Sequence, residues 1–400
     1  MKIVDFKATP VAVPMEAPLR HSAAVHPGRC VRTILQVYTD EGIVGIGELE
    51  DVVHQRQLAV LHPLLYGRDP FDLEDLRIQV LGAGHLLLQG QSLSRNRIYA
   101  GLEIALMDIQ GKATGRPLYQ LLGGRIRTRI PMSAYLFYRY AGDEHPAVST
   151  PEEMAAHARD LVDRYGFRTL KLKGGVFPPE HEIATIAALR EAFGPSYKLR
   201  FDPNNVWSLG TAIRAGHRLR EYDLEYLEDP TWGIEGMAEV QRLTGIPLAT
   251  NMCVVLFEQI PHAVATRAVT VVLSDPWYWG GPWGVKHLGV ICQTFKLDLG
   301  MHSGTELGPG LAAMLHVASS LPNLGYAVDA HYHHLLDDVI AGGKMQYANG
   351  ELAVPEGPGL GVELDEDRMK EYAAYFEKHG GYSFPLDPHN PEWYQRVPAW

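Results

Sequence analysis

Two lysines one residue apart, Lys171 and Lys173 in the stretch RTLKLKGG, stand in a segment otherwise composed like the middle of a buried strand. Side chains two apart on a strand share a face, so the pair projects together, and two ammonium groups side by side are costly without an anion near them. Further along, polar residues close one short apolar run after another: Asp202, Glu228, Asn251, Asp275, His302 and Asp329, at intervals of 29, 26, 23, 24, 27 and 27 residues counted from Lys173. Asp202, Glu228 and Asn251 offer three oxygen donors from consecutive runs. A hard cation such as Mg²⁺ takes oxygen ligands and keeps positions open for water or substrate, whereas zinc favours His or Cys. Asp275 and His302 end the next two runs. A carboxylate bonded to one imidazole nitrogen fixes the tautomer and raises the basicity of the ring, which readies the other nitrogen to move a proton. Taken singly, each acid has a plainer reading, DPN as a turn and EDP as a strand end before proline. Their recurrence at one interval is what points to a site. A cation and a second ammonium both disfavour protonation of Lys173, so its pKa is expected to fall toward the range of a neutral base, while Lys171 stays charged and neutralises a substrate carboxylate.

An interval of that size is one β/α unit. Eight apolar runs qualify as strands: IPMSAYLF, TLKLKG, LRFDPN, EYLEDP, PLATNM, TVVLSDP, LDLGMHS and YAVDAH, with amphipathic stretches such as EHEIATIAALREAF and GMAEVQRLTG between them. The pattern predicts an α/β fold, a closed (β/α)8 barrel of TIM type whose chemistry sits at the C-terminal rim of its strands. No Gly-x-Gly-x-x-Gly follows the first run, which argues against a dinucleotide-binding sheet. Before the barrel, KIVDFKATPVAV and RTILQVYTDEGIVGIGELE alternate like antiparallel strands around a DEG turn, and MEAPLRHSAAVHPGR between them reads as a loop. From about 55 to 123 the pattern is helical, with Leu102, Leu106, Ile109 and Ala113 at helical spacing. The expected organisation is an α+β capping domain over 1–125, the barrel over 126–340, and a segment over 341–400 that returns to the first domain. The tail YSFPLDPHNPEWYQRVPAW takes no position from its pattern.

The chain has 400 residues, 46% of them hydrophobic, and a formal net charge of −11. That is enough for a large core, and no basic block offers nucleic acid a phosphate-binding surface. Cys30, Cys253 and Cys292 show no paired spacing, which favours buried thiols in a reducing compartment. The start lacks the pattern of a secretory leader, and no run is long and apolar enough for a membrane, so a cytoplasmic protein is expected.

The ordered set ALMDIQGKATGRPLYQLLGG, KLKGG, DPNNVW, LEDP, ATNM, SDPWYWGG, MHSG, AVDAH and PEGPGLGVELD resembles the enolase superfamily, and within it the mandelate racemase and muconate lactonizing group, most closely the glucarate dehydratase-like branch. The likeness spans essentially the whole chain. It implies an α+β cap built from both chain ends over a modified barrel, Mg²⁺ as cofactor, small acid-sugar substrates and a homo-oligomer. Residue by residue it makes Asp202, Glu228 and Asn251 the metal ligands, Lys173 the base of the Lys-x-Lys pair, and His302 with Asp275 the acid–base dyad. Asn251, acidic in many relatives, is what points to this branch. The likeness further places Asn204, Ser303, Tyr135, His26 and Asp329 at the substrate. The segment GTELGPG after the histidine departs from the paired asparagines of glucarate dehydratases.

These residues suggest loss of a proton beside a carboxylate, stabilisation of the resulting enediolate, and elimination of the 3-hydroxyl to give a 2-keto-3-deoxy acid. The same intermediate also leads to epimerisation or cycloisomerisation, and a non-catalytic sugar-acid binder is the rival from another class. Arg29 and Arg139, with His26, are candidates for the distal end of the substrate; a solvated basic loop is the alternative. The cluster AHYHH at 330–334 reads as rim and packing, and Glu306 is a further acid without an assigned part.

Overall fold

The computed structural model describes the chain apart from residues 23, 51–60, 83–88, 382–386 and 388, and apart from the side chains at 24 and 89–94. β1 (Ile3–Pro14) leads through two three-residue strands, β2 (Leu19–His21) and β3 (Ala24–His26), into β4 (Arg29–Thr39) and β5 (Val44–Leu49). β1, β4 and β5 form an antiparallel sheet in the order β1-β4-β5, and Gly42, at φ 78°, supplies the left-handed residue that the DEG turn needs. The helix Gln89–Thr114 lies directly on β5. A Cβ at Gly45 would sit 2.1 Å from the Ala105 carbonyl oxygen and one at Gly47 2.2 Å from that of Gly101, so the alternation VGIGEL is what lets helix and strand touch. Leu102, Leu106 and Ile109 are buried as their spacing predicts; Ala113, in the last turn, is exposed. The helical pattern from 55 to 123 is realised at Leu73–Leu81, Gln89–Thr114 and Leu118–Leu121, and its parts at 55–60 and 83–88 lie outside the described residues.

After β6 (Arg129–Pro131), seven parallel strands run side by side in chain order: β7 (Ser133–Arg139), β8 (Thr169–Lys173), β9 (Lys198–Asp202), β10 (Tyr226–Glu228), β11 (Leu248–Thr250), β12 (Val271–Ser274) and β13 (Asp298–Met301). Helices separate them, and their ends follow local rules. Pro151–Tyr165, for example, opens on a Thr150–Glu153 capping box and stops at Gly166 in the left-handed region. The eighth run differs from expectation. Residues 326–331 form no ladder strand; the extended chain there makes single bridges, with Ser133 N–H donating to Val328 O at 2.9 Å and Asp329 N–H to Met301 O at 3.1 Å. Those bonds still close the ring between β13 and β7.

The loop expected over 15–29 is also corrected. β2 and β3 pair as a hairpin, and β2 adds antiparallel to the far end of β7, Leu19 against Arg139 and Arg20 against Tyr138. Strands of three residues are too short to show an alternation in the sequence. The hairpin extends the barrel sheet past its rim and so stands beside the mouth. Near the C-terminus β14 (Glu351–Ala353) pairs with β6, and the helix Glu366–His379 packs on β1. The tail runs back over the barrel: Tyr140 donates to Asp387 at 2.7 Å, and Ser208 N–H to Trp400 O at 2.6 Å. Among the described residues no helix is long and apolar enough to cross a membrane, and the three cysteines are buried and unbridged.

Candidate active site

Alternation along β8 puts Leu170 and Leu172 into the core and leaves Lys171 and Lys173 on the barrel's inner side. In register Lys173 lies beside Asp202, and its Nζ donates to Asp202 Oδ2 at 2.5 Å. Lys171, wholly buried, donates to Asp329 Oδ2 at 2.6 Å and lies 2.5 Å from Glu228 Oε2. Burial lowers the pKa of Lys173, but among the protein's own charges the Asp202 carboxylate outweighs it and holds the ammonium above its ordinary value, and Asp329 and Glu228 do the same for Lys171. The fall expected for Lys173 rests on a cation drawing on the Asp202 charge. Asp329, expected at the substrate, has its oxygens taken by Lys171, Ser133 at 2.7 Å and Arg200 at 3.1 Å, and serves as the buried counter-ion beneath the site.

The oxygen donors sit together at the ends of β9, β10 and the residue after β11. Glu228 is wholly buried, and burial followed by the nearby Asp202 charge raises its pKa well above the usual carboxylate range. Two buried acids held close together favour a cation among them. Asn251 stands among them: one end of its side-chain amide lies 3.1 Å from Asp229 Oδ2 and 3.2 Å from Glu228 Oε1, the other 3.0 Å from His302 Nε2. With the nitrogen toward the acids it donates to both, and its oxygen accepts from His302. The donor set is all oxygen, so it suits Mg²⁺ rather than zinc. Asp229, which the sequence reading passed over, sets the position of Asn251: its carboxylate accepts the Asn251 N–H at 2.8 Å and the Thr250 hydroxyl at 2.6 Å.

Asp275 and His302 meet as their strand ends predict, Nδ1 to Oδ2 at 3.2 Å. The other Asp275 oxygen accepts from Tyr278 N–H at 2.7 Å, and the Tyr278 ring stacks on the imidazole. Nδ1 is thereby committed to the carboxylate and Nε2 is the nitrogen turned toward Asn251.

A cavity of about 650 Å³ opens over these groups. Lys173, Asn251 and His302 line it, as do Asn204, Ser303, Tyr135 and His26, each expected at the substrate. The Tyr135 hydroxyl is buried with no hydrogen-bond partner among the described residues, while Ser303 donates to Glu306 at 2.5 Å and bonds His331 Nδ1 at 2.9 Å. Asn204, at φ 59°, is tied to Ser22 by a 2.6 Å bond. Arg29 and Arg139 are not in this wall. Arg29 donates to the His379 carbonyl at 3.1 Å, where a helix C-terminus attracts positive charge, and Arg139 is paired with Glu16 at 2.7 Å. The arginines that do line the cavity among the described residues are Arg32 and Arg97, the latter 3.2 Å from Glu50. Both come from the N-terminal part of the chain, where sequence periodicity gives no hint of a partner some 200 residues away. A separate cavity of about 550 Å³, walled by Tyr99, Glu103, Trp279 and Trp283, includes none of Lys171, Lys173, Asp202, Glu228 and Asn251.

Comparison with known proteins identifies the family. Residues 3–123 match the mandelate racemase / muconate lactonizing enzyme N-terminal domain, and residues 153–368 the enolase C-terminal domain-like family. A protein named probable glucarate dehydratase from Streptomyces coelicolor is 42% identical over 92% of this chain and 90% of its own length. An enolase from Thermobispora bispora, solved with magnesium and formate, is 41% identical, with a TM-score of 0.93 and all of both chains covered. One from Mycobacterium smegmatis, solved with tartrate, is 41% identical with a TM-score of 0.94, covering 100% of this chain and 98% of that one. With both domain families and a relative of this identity matched, the chain belongs to the enolase superfamily, in the glucarate dehydratase-like branch of its mandelate racemase and muconate lactonizing group.

Proposed function

We propose that the cavity is the active site of a Mg²⁺-dependent acid-sugar dehydratase, cleaving a carbon–oxygen bond to give a 2-keto-3-deoxy acid. The observation that carries this is the convergence of two proton-transfer groups, Lys173 and the Asp275-backed His302, on one cavity that Asn251 also lines, with Asp202 bonded to Lys173 and Glu228 beside Asn251 just behind its wall. Mg²⁺ held by those three residues would share the Asp202 charge now facing Lys173 and would stabilise the negative charge that develops on the substrate carboxylate. Lys173 or His302 removes the hydrogen beside the carboxylate, according to which side of the substrate that hydrogen faces. His302, charged and held by Asp275, then gives its Nε2 proton to the 3-hydroxyl as that oxygen leaves as water, and the enol left behind becomes the keto acid. Tyr135, with its free hydroxyl, and Ser303 and Asn204 hold the substrate oxygens. His26, with Arg32 and Arg97, receives the far end of the chain, a wall suited to hydroxyls or a second carboxylate. The dehydratase and tartrate-bound relatives support the acid-sugar class.

The test is a panel of aldonic and aldaric acids incubated with Mg²⁺ and assayed for 2-keto acids. One or a few are expected to react, and His302→Asn and Lys173→Ala are each expected to slow that reaction by roughly 10²- to 10⁴-fold. Exchange of the α-hydrogen with solvent deuterium but no keto acid would redirect the reading to an epimerase or cycloisomerase, and neither exchange nor product would favour a binder.

A further inference from the structure

β5 is otherwise glycine and aliphatic, yet it carries Glu48, wholly buried. A buried carboxylate is costly unless its oxygens are satisfied. Glu48 Oε1 accepts the Leu307 N–H and Oε2 the Gly310 N–H, both at 2.9 Å. Those donors belong to the start of the helix Gly308–Ser320, where N–H groups lack partners within the helix and positive partial charge collects. The main-chain carbonyl of Glu48 accepts the Trp277 indole N–H at 3.0 Å. Arg32, on the neighbouring strand and 3.6 Å from Glu48 Oε1, donates to the Gly304 carbonyl. Space is reserved for the contact: a Cβ at Gly310 would lie 2.9 Å from Glu48 Oε2.

Trp277 follows Asp275 by two residues and Leu307 follows His302 by five. One residue of the N-terminal sheet therefore holds both loops that leave the strands carrying the dyad. Glu103 repeats the device on one of them, accepting the Trp283 N–H at 2.9 Å at the start of the helix Pro282–Phe295.

We infer that Glu48 is a positioning residue for the acid–base pair, holding the loops after Asp275 and His302 so that carboxylate and imidazole keep their contact. This rests on the acid–base part proposed above for His302. A carboxylate that merely fastened two domains would affect stability alone; one that positions the dyad affects proton transfer.

The experiment compares Glu48→Gln with Asp108→Asn. The first keeps the shape but turns an amide NH₂ against a main-chain N–H. Asp108 is equally buried and accepts two main-chain N–H groups, Ile46 at 3.0 Å and Leu360 at 2.8 Å, neither in a dyad loop. Glu48→Gln is expected to lower kcat roughly ten- to a hundredfold with KM nearly unchanged. It is also expected to shift the ¹⁵N signals of the His302 ring, identified by their absence from His302→Asn. Asp108→Asn is expected to lower Tm while leaving kcat and those signals in place. Equal loss of kcat in both variants, or an unmoved His302 signal in Glu48→Gln, overturns the inference. The ring signal needs no substrate, so a wild type without turnover would sink the dehydratase reading and still leave positioning to be decided. Should Glu48→Gln fail to fold, Glu48→Asp, which keeps the charge but draws the oxygens back from the Leu307 and Gly310 N–H groups, replaces it with the same expected and overturning results.

Discussion

Asp275 shows how much rests on one hydrogen bond. Its carboxylate bonds His302 Nδ1 and so fixes the tautomer, and an amide in its place leaves the shape and removes the charge. Asp275→Asn is expected to lower kcat by roughly 10²- to 10⁴-fold with little change in KM, measured by steady-state kinetics on whichever acid sugar the panel identifies. Asn251 offers a second test that needs no substrate. If its oxygen completes a cation site with Asp202 and Glu228, Mg²⁺ stabilises the folded chain, by about 2.7 kcal/mol at a hundred times its Kd, and removal of the ion by a chelator reverses the rise in Tm. Asn251→Ala is expected to shrink that rise; an equal rise in both proteins would take Asn251 out of the site.

At the scale of elements, the recurrence of one polar residue per β/α unit made the barrel and its strand-end residues legible, because strand ends in a barrel share one level. Three things were not legible. The pKa of Lys173 depends on which charge reaches it, and register alone decides that Asp202 does. The hairpin β2–β3 is too short for a pattern and is stabilised by pairing with a strand more than a hundred residues away. Arg32, Glu48 and Glu103 act across still longer separations, although a glutamate inside an apolar strand such as VGIGEL is itself a signal that a partner must exist. Close approach between elements can be tested directly. Gly281 has φ 103° at the start of the helix Pro282–Phe295, and a Cβ there would lie 2.1 Å from Glu103 Oε2. Gly281→Ala is expected to cost about 1–3 kcal/mol in chemical denaturation, from backbone strain and displacement of that carboxylate. On another helix of the barrel wall, Thr150→Ala removes half of a capping box and is expected to cost about 1 kcal/mol.

For the whole molecule, the balance of buried titratable groups sets how stability follows pH. His333 is wholly enclosed among Phe167, Tyr165 and Tyr347, and neither ring nitrogen has a hydrogen-bond partner among the described residues. Burial, reinforced by His334, pushes its pKa well below the ordinary histidine value. The unfolded chain therefore takes up that proton first, so stability from this group is complete above pH 6.5 and is lost as pH falls below it. His333→Phe is expected to hold or raise stability at pH 7.5, by up to about 1 kcal/mol, because an unsatisfied polar ring is replaced by an apolar one. It is also expected to lessen the fall between pH 6.5 and 5, read from urea midpoints; a steeper fall would contradict the assignment.

The hairpin hung on the end of β7 also has an engineering consequence. The groups proposed to make and break bonds are rooted in the barrel strands, while His21, His26 and Arg32, which line the cavity, arrive on a stretch of about a dozen residues from the N-terminal part of the chain. Transplanting that stretch from a homologue should exchange the range of molecules admitted and leave the bond-breaking apparatus alone, provided the recipient keeps its own Glu48. Recombination that severs the two would yield a catalyst with a new appetite and a loosened grip.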